Sequence, residues 1–144
     1  MIKFTKYVKV SSLEEAYELN KSRANVIMGG MMWLGMQNRN IGTVVDISGL
    51  GLDRIEENDE SYIIGAMVPL RSLECHEGLN EYTKGAVKES LRHIVGVQFR
   101  NMATVGGSLY GRYGFSDVLT LFMAIGASVQ LYKAGTVDIA AFAD

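Results

Sequence analysis

Two short stretches of this 144-residue chain set glycine pairs among small or flexible side chains. In Arg100-Asn101-Met102-Ala103-Thr104-Val105-Gly106-Gly107-Ser108, two hydroxyls flank one pair. In Met28-Gly29-Gly30-Met31-Met32-Trp33, an apolar segment runs directly into the other. Glycine can adopt φ > 0 and lets another group approach the backbone closely. Successive exposed N–H groups in such a turn form a concavity suited to an anion, typically a phosphate. One glycine pair is compatible with an ordinary tight turn. Two pairs, each after an apolar segment, are what a large diphosphate ligand requires, because its charges need donors at close range with no Cβ atoms in the way. Neither stretch reads Gly-x-x-x-x-Gly-Lys-Ser/Thr, and no Gly-x-Gly-x-x-Gly follows a first strand, so P-loop and Rossmann sites are not indicated.

Other residue types add or remove possibilities. Cys75 is the only cysteine, so this chain alone builds no disulfide, thiolate zinc site or iron–sulfur cluster. His76 lies beside Cys75 and Glu77, but adjacent side chains point apart on a helix or strand, so no metal site is expected. Asp117 falls in the first turn of an expected helix, where a carboxylate favours the helix dipole with or without a ligand. Arg100 and Arg112 read either as phosphate partners or as solvated loop charge. Met28, Met32 and Met36, with Trp33, read either as flexible packing or as a cofactor-facing patch. Tyr110 and Tyr113 either stack on a ring or face solvent.

The elements that must position these residues belong to a soluble globular chain, 48% hydrophobic and 21% charged, with net charge −2. That length suits one domain or two small lobes. The charge gives no reason to expect nucleic acid. No segment is apolar for long enough to span a bilayer, and Met1 to Lys6 lacks the apolar core of a signal peptide, so a cytoplasmic location is expected.

Ile2 to Val10 reads as a strand. Ser12-Leu13-Glu14-Glu15 is a capping-box pattern opening a short amphipathic helix. Asn25 to Met28 and Thr43 to Ile47 read as further strands, giving a small α/β unit with parallel pairing. Ser48-Gly49-Leu50-Gly51-Leu52 reads as a join between lobes spanning 1–52 and 53–144. After it, Asp53–Glu57 and Tyr62–Met67 read as a hairpin, and Pro69 as the first turn of a helix through Leu73. The spacing of Leu79, Tyr82, Ala86, Leu91 and Ile94 predicts one helix over Asn80–Val95. Ser116 caps a helix to Ile125, Gly126 ends it, and 128–132 with 135–139 reads as a last hairpin.

At these motifs the chain resembles the FAD-binding subunit of the molybdenum hydroxylases, the xanthine dehydrogenase and carbon monoxide dehydrogenase group. Met28-Gly29-Gly30-Met31-Met32-Trp33 stands where that family has Ala-Gly-Gly-Thr/His-Asp/Ser-Leu. Ala103-Thr104-Val105-Gly106-Gly107-Ser108 stands for its Gly-Thr-Ile-Gly-Gly-Asn, and Asp117 for its flavin-contacting Asp. Ala124-Ile125-Gly126-Ala127-Ser128-Val129 is similar to its Leu-Gly-Ala-x-Val strand entry. The resemblance implies an α+β, two-lobed, PCMH-type flavoprotein fold, with a small α/β lobe and a second lobe of antiparallel strands and helices. FAD lies between the lobes in that fold. Backbone amides around Gly29–Met31 and Gly106–Ser108 would hold the pyrophosphate, Thr104 would donate its hydroxyl, Asp117 would accept from a sugar or ribityl hydroxyl, and Ile94 would form an apolar wall.

The resemblance also implies partners, a molybdopterin subunit and a [2Fe–2S] subunit, with electrons leaving FAD for NAD or another acceptor in a xanthine or purine dehydrogenase type of enzyme. The family departs from this chain at Met31 and Met32, where it usually offers polar side chains, and at Ser108, which replaces Asn. Family members continue well past this length, so the resemblance implies an incomplete second lobe. Two other readings stand beside it: a flavin reductase of the same broad fold, similar to the enolpyruvyl-sugar reductases, and a cofactor-free assembly module.

Overall fold

The computed structural model describes residues 1–144. Three strands, β1 (Lys3–Lys9), β2 (Val26–Met28) and β3 (Asn40–Asp46), form a parallel sheet in the order β1-β3-β2. The expected parallel pairing is therefore present, with Val44 and Val45 of the central strand buried. Parallel strands of one sheet need crossover connections. Helix α1 (Leu13–Asn20) supplies the one from β1 to β2. Ser12 caps it by accepting from the Glu15 amide at 3.1 Å, as the sequence predicts. The Glu15 carboxylate, however, accepts from the Ser11 amide and hydroxyl rather than from Ser12.

The hairpin β4–β5 (Ile55–Glu57 and Tyr62–Ile64) and a second hairpin, β6–β7 (Ser128–Leu131 and Gly135–Asp138), frame a set of short helices. These are α2 (Leu70–Glu74), α3 (Glu77–Tyr82), α4 (Ala86–Leu91), α5 (Val97–Met102), α6 (Val105–Tyr110), α7 (Asp117–Ala124) and α8 (Ile139–Ala143), the last unforeseen in the sequence. Pro69 is the residue before α2 rather than its first turn. Most of the buried apolar side chains form one cluster here, including Val68, Leu73, Val87, Leu91, Val118 and Phe122. A smaller cluster of Val10, Ala16, Val45 and Ile47 lies between the parallel sheet and α1.

The continuous helix predicted over Asn80–Val95 is two helices. Lys84 and Gly85 take φ of +52° and +84°, which stops α3 and restarts the chain as α4. Side chains stabilise the break: Asn80 Nδ2 donates to the carbonyls of Glu74 and His76, while its Oδ1 accepts from the Lys88 amide. The apolar spacing runs through the break unchanged, which is why periodicity alone misses it. Helix α7 matches its expected capping, with Ser116 accepting from the Leu119 amide. Gly126 follows at φ +67°.

Candidate functional site

The two glycine stretches meet. A Cβ placed on Gly29 would lie 2.8 Å from Thr104 Oγ1 and 3.9 Å from the Gly107 Cα. On Gly30 it would lie 1.7 Å from the Met102 carbonyl oxygen. Backbone therefore packs on backbone where the end of β2 crosses the end of α5. The glycines themselves do not take the left-handed conformation expected for a glycine turn; in the first stretch, Met31 does, at φ +62°.

The second stretch is not an open turn either. Gly106 and Gly107 lie in the first turn of α6. Segments 66–70 and 103–106 run antiparallel: Leu70 donates to the Ala103 carbonyl at 2.8 Å, Val105 to Val68 at 2.9 Å and Gly106 to Ala66 at 2.8 Å. Glycine is required at 106 because a Cβ would meet the Ala66 carbonyl at 2.8 Å. The Gly107 amide donates to Thr104 Oγ1 at 3.2 Å and the Ser108 amide to the Thr104 carbonyl at 3.0 Å. Every amide from Val105 to Ser108 thus has a protein acceptor. Val105 is buried in the core, and the Ser108 hydroxyl proton is directed to the Thr104 carbonyl at 2.8 Å. Thr104 is buried too, and its hydroxyl accepts from Gly107 while its own proton stays free to donate.

The first stretch is the reverse. The amides of Gly29, Gly30, Met31, Met32 and Trp33 have no hydrogen-bond partner in the protein, and Gly29 to Met32 are half-buried. The run begins at Gly29, beside the Thr104 hydroxyl, and its donors are open to an acceptor from outside the chain.

A cavity of about 110 Å³ opens beside this crossing. Its lining includes Trp33, Ile94, Gly107, Ser108 and Asp117 from the predicted set, together with Tyr113 and Phe115. Met28, Gly29, Gly30, Met31, Met32, Thr104, Val105 and Gly106 do not line it. Asp117 is exposed in the first turn of α7. Met32 packs against the main core, whereas Met36 is exposed, so the methionines form no continuous patch.

Arg100 answers neither sequence reading. It is buried and bonded to Glu74, Nε to Oε2 at 2.7 Å, with Nη1 donating to the Ile94 carbonyl at 2.9 Å. Burial pushes the Glu74 carboxyl up, but hydrogen bonds from Arg100 and Arg71 outweigh it and hold the carboxyl below its ordinary value. This network fixes the loop that carries Ile94 and Val95, the latter a β-branched residue at φ +49°. Twenty-six positions separate the ion-pair partners, and no local signal in the sequence joins them. Phe115 was likewise not foreseen; its only trace is the Tyr113-Gly114-Phe115 alternation.

The crossing thus defines a class: an α+β chain in which two glycine doublets distant in sequence pack backbone on backbone, the amides of the first left without protein partners. The family described as the FAD binding domain in molybdopterin dehydrogenase matches residues 2–144, and the chain belongs to that family. It is 34% identical over 93 residues to the aldehyde oxidoreductase FAD-binding subunit PaoB of Escherichia coli (strain K12), a match spanning 62% of this chain and 29% of that subunit. Its fold is similar to quinoline 2-oxidoreductase from Pseudomonas putida 86, with TM-score 0.82 and 21% identity, covering 95% of this chain and 50% of that one. Carbon monoxide dehydrogenase from Hydrogenophaga pseudoflava gives TM-score 0.82 and 22% identity over 96% of this chain and 51% of that one. The chain spans about half the length of these solved relatives. The expected two-lobed flavoprotein architecture is therefore present, and FAD is the family's cofactor.

Proposed function

We propose that this chain is the FAD-holding part of a multi-subunit molybdenum hydroxylase of the xanthine or purine type, at work in the cytoplasm. The observation that carries the site is the unpartnered amide run of Gly29–Trp33, which starts beside Thr104 at Gly29. In this reading the lobes divide near Leu52, and FAD lies where they meet. A run of unpartnered backbone amides fits a diphosphate, and Gly107 adds no side chain beside Thr104. Bound FAD supplies reversible electron transfer between partner-borne [2Fe–2S] clusters, next to a molybdopterin subunit, and NAD or another acceptor.

The amides of Gly29, Gly30, Met31, Met32 and Trp33 bind the diphosphate, and the Thr104 hydroxyl donates a further hydrogen bond. The second stretch serves mainly as the rigid backing that holds Thr104 and Gly107 in place. Asp117 accepts from a hydroxyl of the cofactor, and Ile94 walls the cavity. Family membership and the FAD-binding subunit name of the Escherichia coli relative support the flavin. No helix is long and apolar enough to cross a membrane.

The test is the flavin content of the full-length protein purified with its partner subunits. Stoichiometric FAD is expected. Gly107→Val places a branched side chain beside Thr104, where the diphosphate would lie, and is expected to abolish retention while assembly persists. Full retention in that variant would overturn the site, and a wild-type complex without FAD would overturn the function.

A further inference from the structure

The β4–β5 hairpin borders a second cavity, of about 500 Å³, at the opposite end of α7 from the first. That volume falls within the roughly 300–1,000 Å³ of binding pockets. Its floor is apolar: Leu79 and Phe122 are buried members of the main core, and Ile64, Ile125 and Ala127 carry the floor outward. Tyr82 forms one wall and is 70% exposed, with its ring 6.0 Å from that of Tyr62.

The rim is acidic. Glu57, Asp59 and Glu60 all line the cavity, and no lysine, arginine or histidine does. None of the three carboxylates forms an ion pair. Glu57 accepts from the Tyr62 hydroxyl at 2.7 Å, a bond that holds the hydroxyl above its ordinary pKa, with the nearby Glu81 charge adding to the effect. Gly78 of α3 makes room for both groups, since a Cβ there would lie 2.7 Å from Glu57 Oε2 and 2.9 Å from the Tyr62 hydroxyl. Asn58 Oδ1 fixes the turn that carries Asp59 and Glu60 by accepting from the Glu60 and Ser61 amides. A cleft of one charge sign over an apolar floor concentrates its field on an incoming counter-charge.

The strand edge beside the rim is open as well. β5 pairs only with β4. The Asn58 amide donates to Ser61 and the Gly65 amide to Arg54, so the alternation of an antiparallel ladder turns the N–H and C=O groups of Tyr62 and Ile64 away from β4. No other strand of the chain pairs with that edge.

We propose that this groove docks an extended segment of a partner subunit, which adds alongside β5 and brings a lysine or arginine to Glu57, Asp59 and Glu60 with an apolar side chain on the floor beside it. The inference rests on the multi-subunit reading above. Strand addition draws affinity from main-chain hydrogen bonds and specificity from side-chain pockets, and this groove offers both. Charge complementarity selects the basic occupant, because an acidic segment would meet three uncompensated carboxylates. A polypeptide fits better than a small cation, because only a polypeptide uses the donors and acceptors of the open edge.

The experiment measures the dissociation constant between the full-length chain and its partner subunits, at low and at high salt. It compares wild type with the double variant Asp59→Lys, Glu60→Lys and with Tyr82→Ala. All three positions are exposed, so both variants are expected to keep the wild-type unfolding midpoint and FAD content. Charge reversal is expected to weaken association about twofold to tenfold at low salt, with the difference fading at high salt. Tyr82→Ala is expected to weaken association at both salt concentrations. Unchanged association in both variants would overturn the inference and leave the multi-subunit function standing. Unchanged association with a lower unfolding midpoint of the full-length chain would overturn it by placing one of the chain's own segments in the groove. A change confined to self-association would overturn it by placing a second copy there. A wild-type chain that binds no partner subunit would overturn the parent reading instead.

Discussion

The stretches at Gly29–Gly30 and Gly106–Gly107 share a dipeptide but need glycine for different ends. At the first, Gly30 lies against the Met102–Ala103 backbone, and the amides around it are left without partners. At the second, Gly106 lies against Ala66, and the amides are consumed by Ala66, Val68 and Thr104. One stretch keeps its donors and the other spends them on holding shape. A binding cradle needs both, because donors bind well only when something rigid fixes their positions.

The rigid half depends most on the ion pair behind it. Breaking a buried pair by removing one charge costs about 3–5 kcal/mol. Glu74→Gln is therefore expected to give the largest loss of stability, read as the unfolding free energy or midpoint of the full-length protein. The pH dependence has a defined sign. Glu74 is held below its ordinary value, so its contribution is complete above the unfolded carboxyl pKa of about 4.3 and is lost as pH falls through the folded value. Wild type should lose stability in acid more steeply than Glu74→Gln. Parallel acid profiles would show that the pair does not support the crossing.

Next in size is the contrast between the glycines themselves. Gly30→Ala sets a methyl group against a carbonyl that only backbone movement can relieve, and overpacking of this kind costs about 3 kcal/mol. Gly107→Ala meets only the Thr104 hydroxyl, at 3.0 Å, and sits in a helix where alanine gains up to about 1 kcal/mol over glycine. Its stability is expected to stay within about 1 kcal/mol of wild type. Equal losses in the two variants would erase the distinction between the stretches.

That distinction was only half legible in the sequence. Glycine doublets after apolar segments announce close approach, and the approach is there. What occupies the space is a tertiary fact: the partner of Gly30 is backbone more than seventy positions away, and the acceptors for Val105 and Gly106 lie on segment 66–68. The stretch with more polar side chains looked like the stronger binder, yet its hydroxyls mostly serve its own helix. Local signals fared better, since the caps at Ser12 and Ser116 and the apolar strands declare themselves within a few residues. The helix over 80–95 failed because Lys84 and Gly85 interrupt the backbone without interrupting the periodicity.

The smallest effect is expected where the β6–β7 hairpin touches α1. Tyr132 donates to Glu14 at 2.6 Å and Lys133 Nζ lies 2.8 Å from the same carboxylate, so these hydrogen bonds hold Glu14 below its ordinary value and Lys133 above its own. Tyr17 closes the contact, with its ring 5.7 Å from that of Tyr132 and beneath the Lys133 ammonium at 4.5 Å. All of these charges are solvated, and exposed pairs contribute little and are screened by salt. Glu14→Gln is expected to lower the unfolding midpoint slightly at low ionic strength and not at all in high salt, with FAD retention unchanged. The aromatic packing survives the substitution, so it should hold the hairpin on α1 even when the charges do not. A Glu14→Gln variant that lost FAD would show that the charged contact, and not the backbone crossing at Gly30, keeps the two halves of the cradle together.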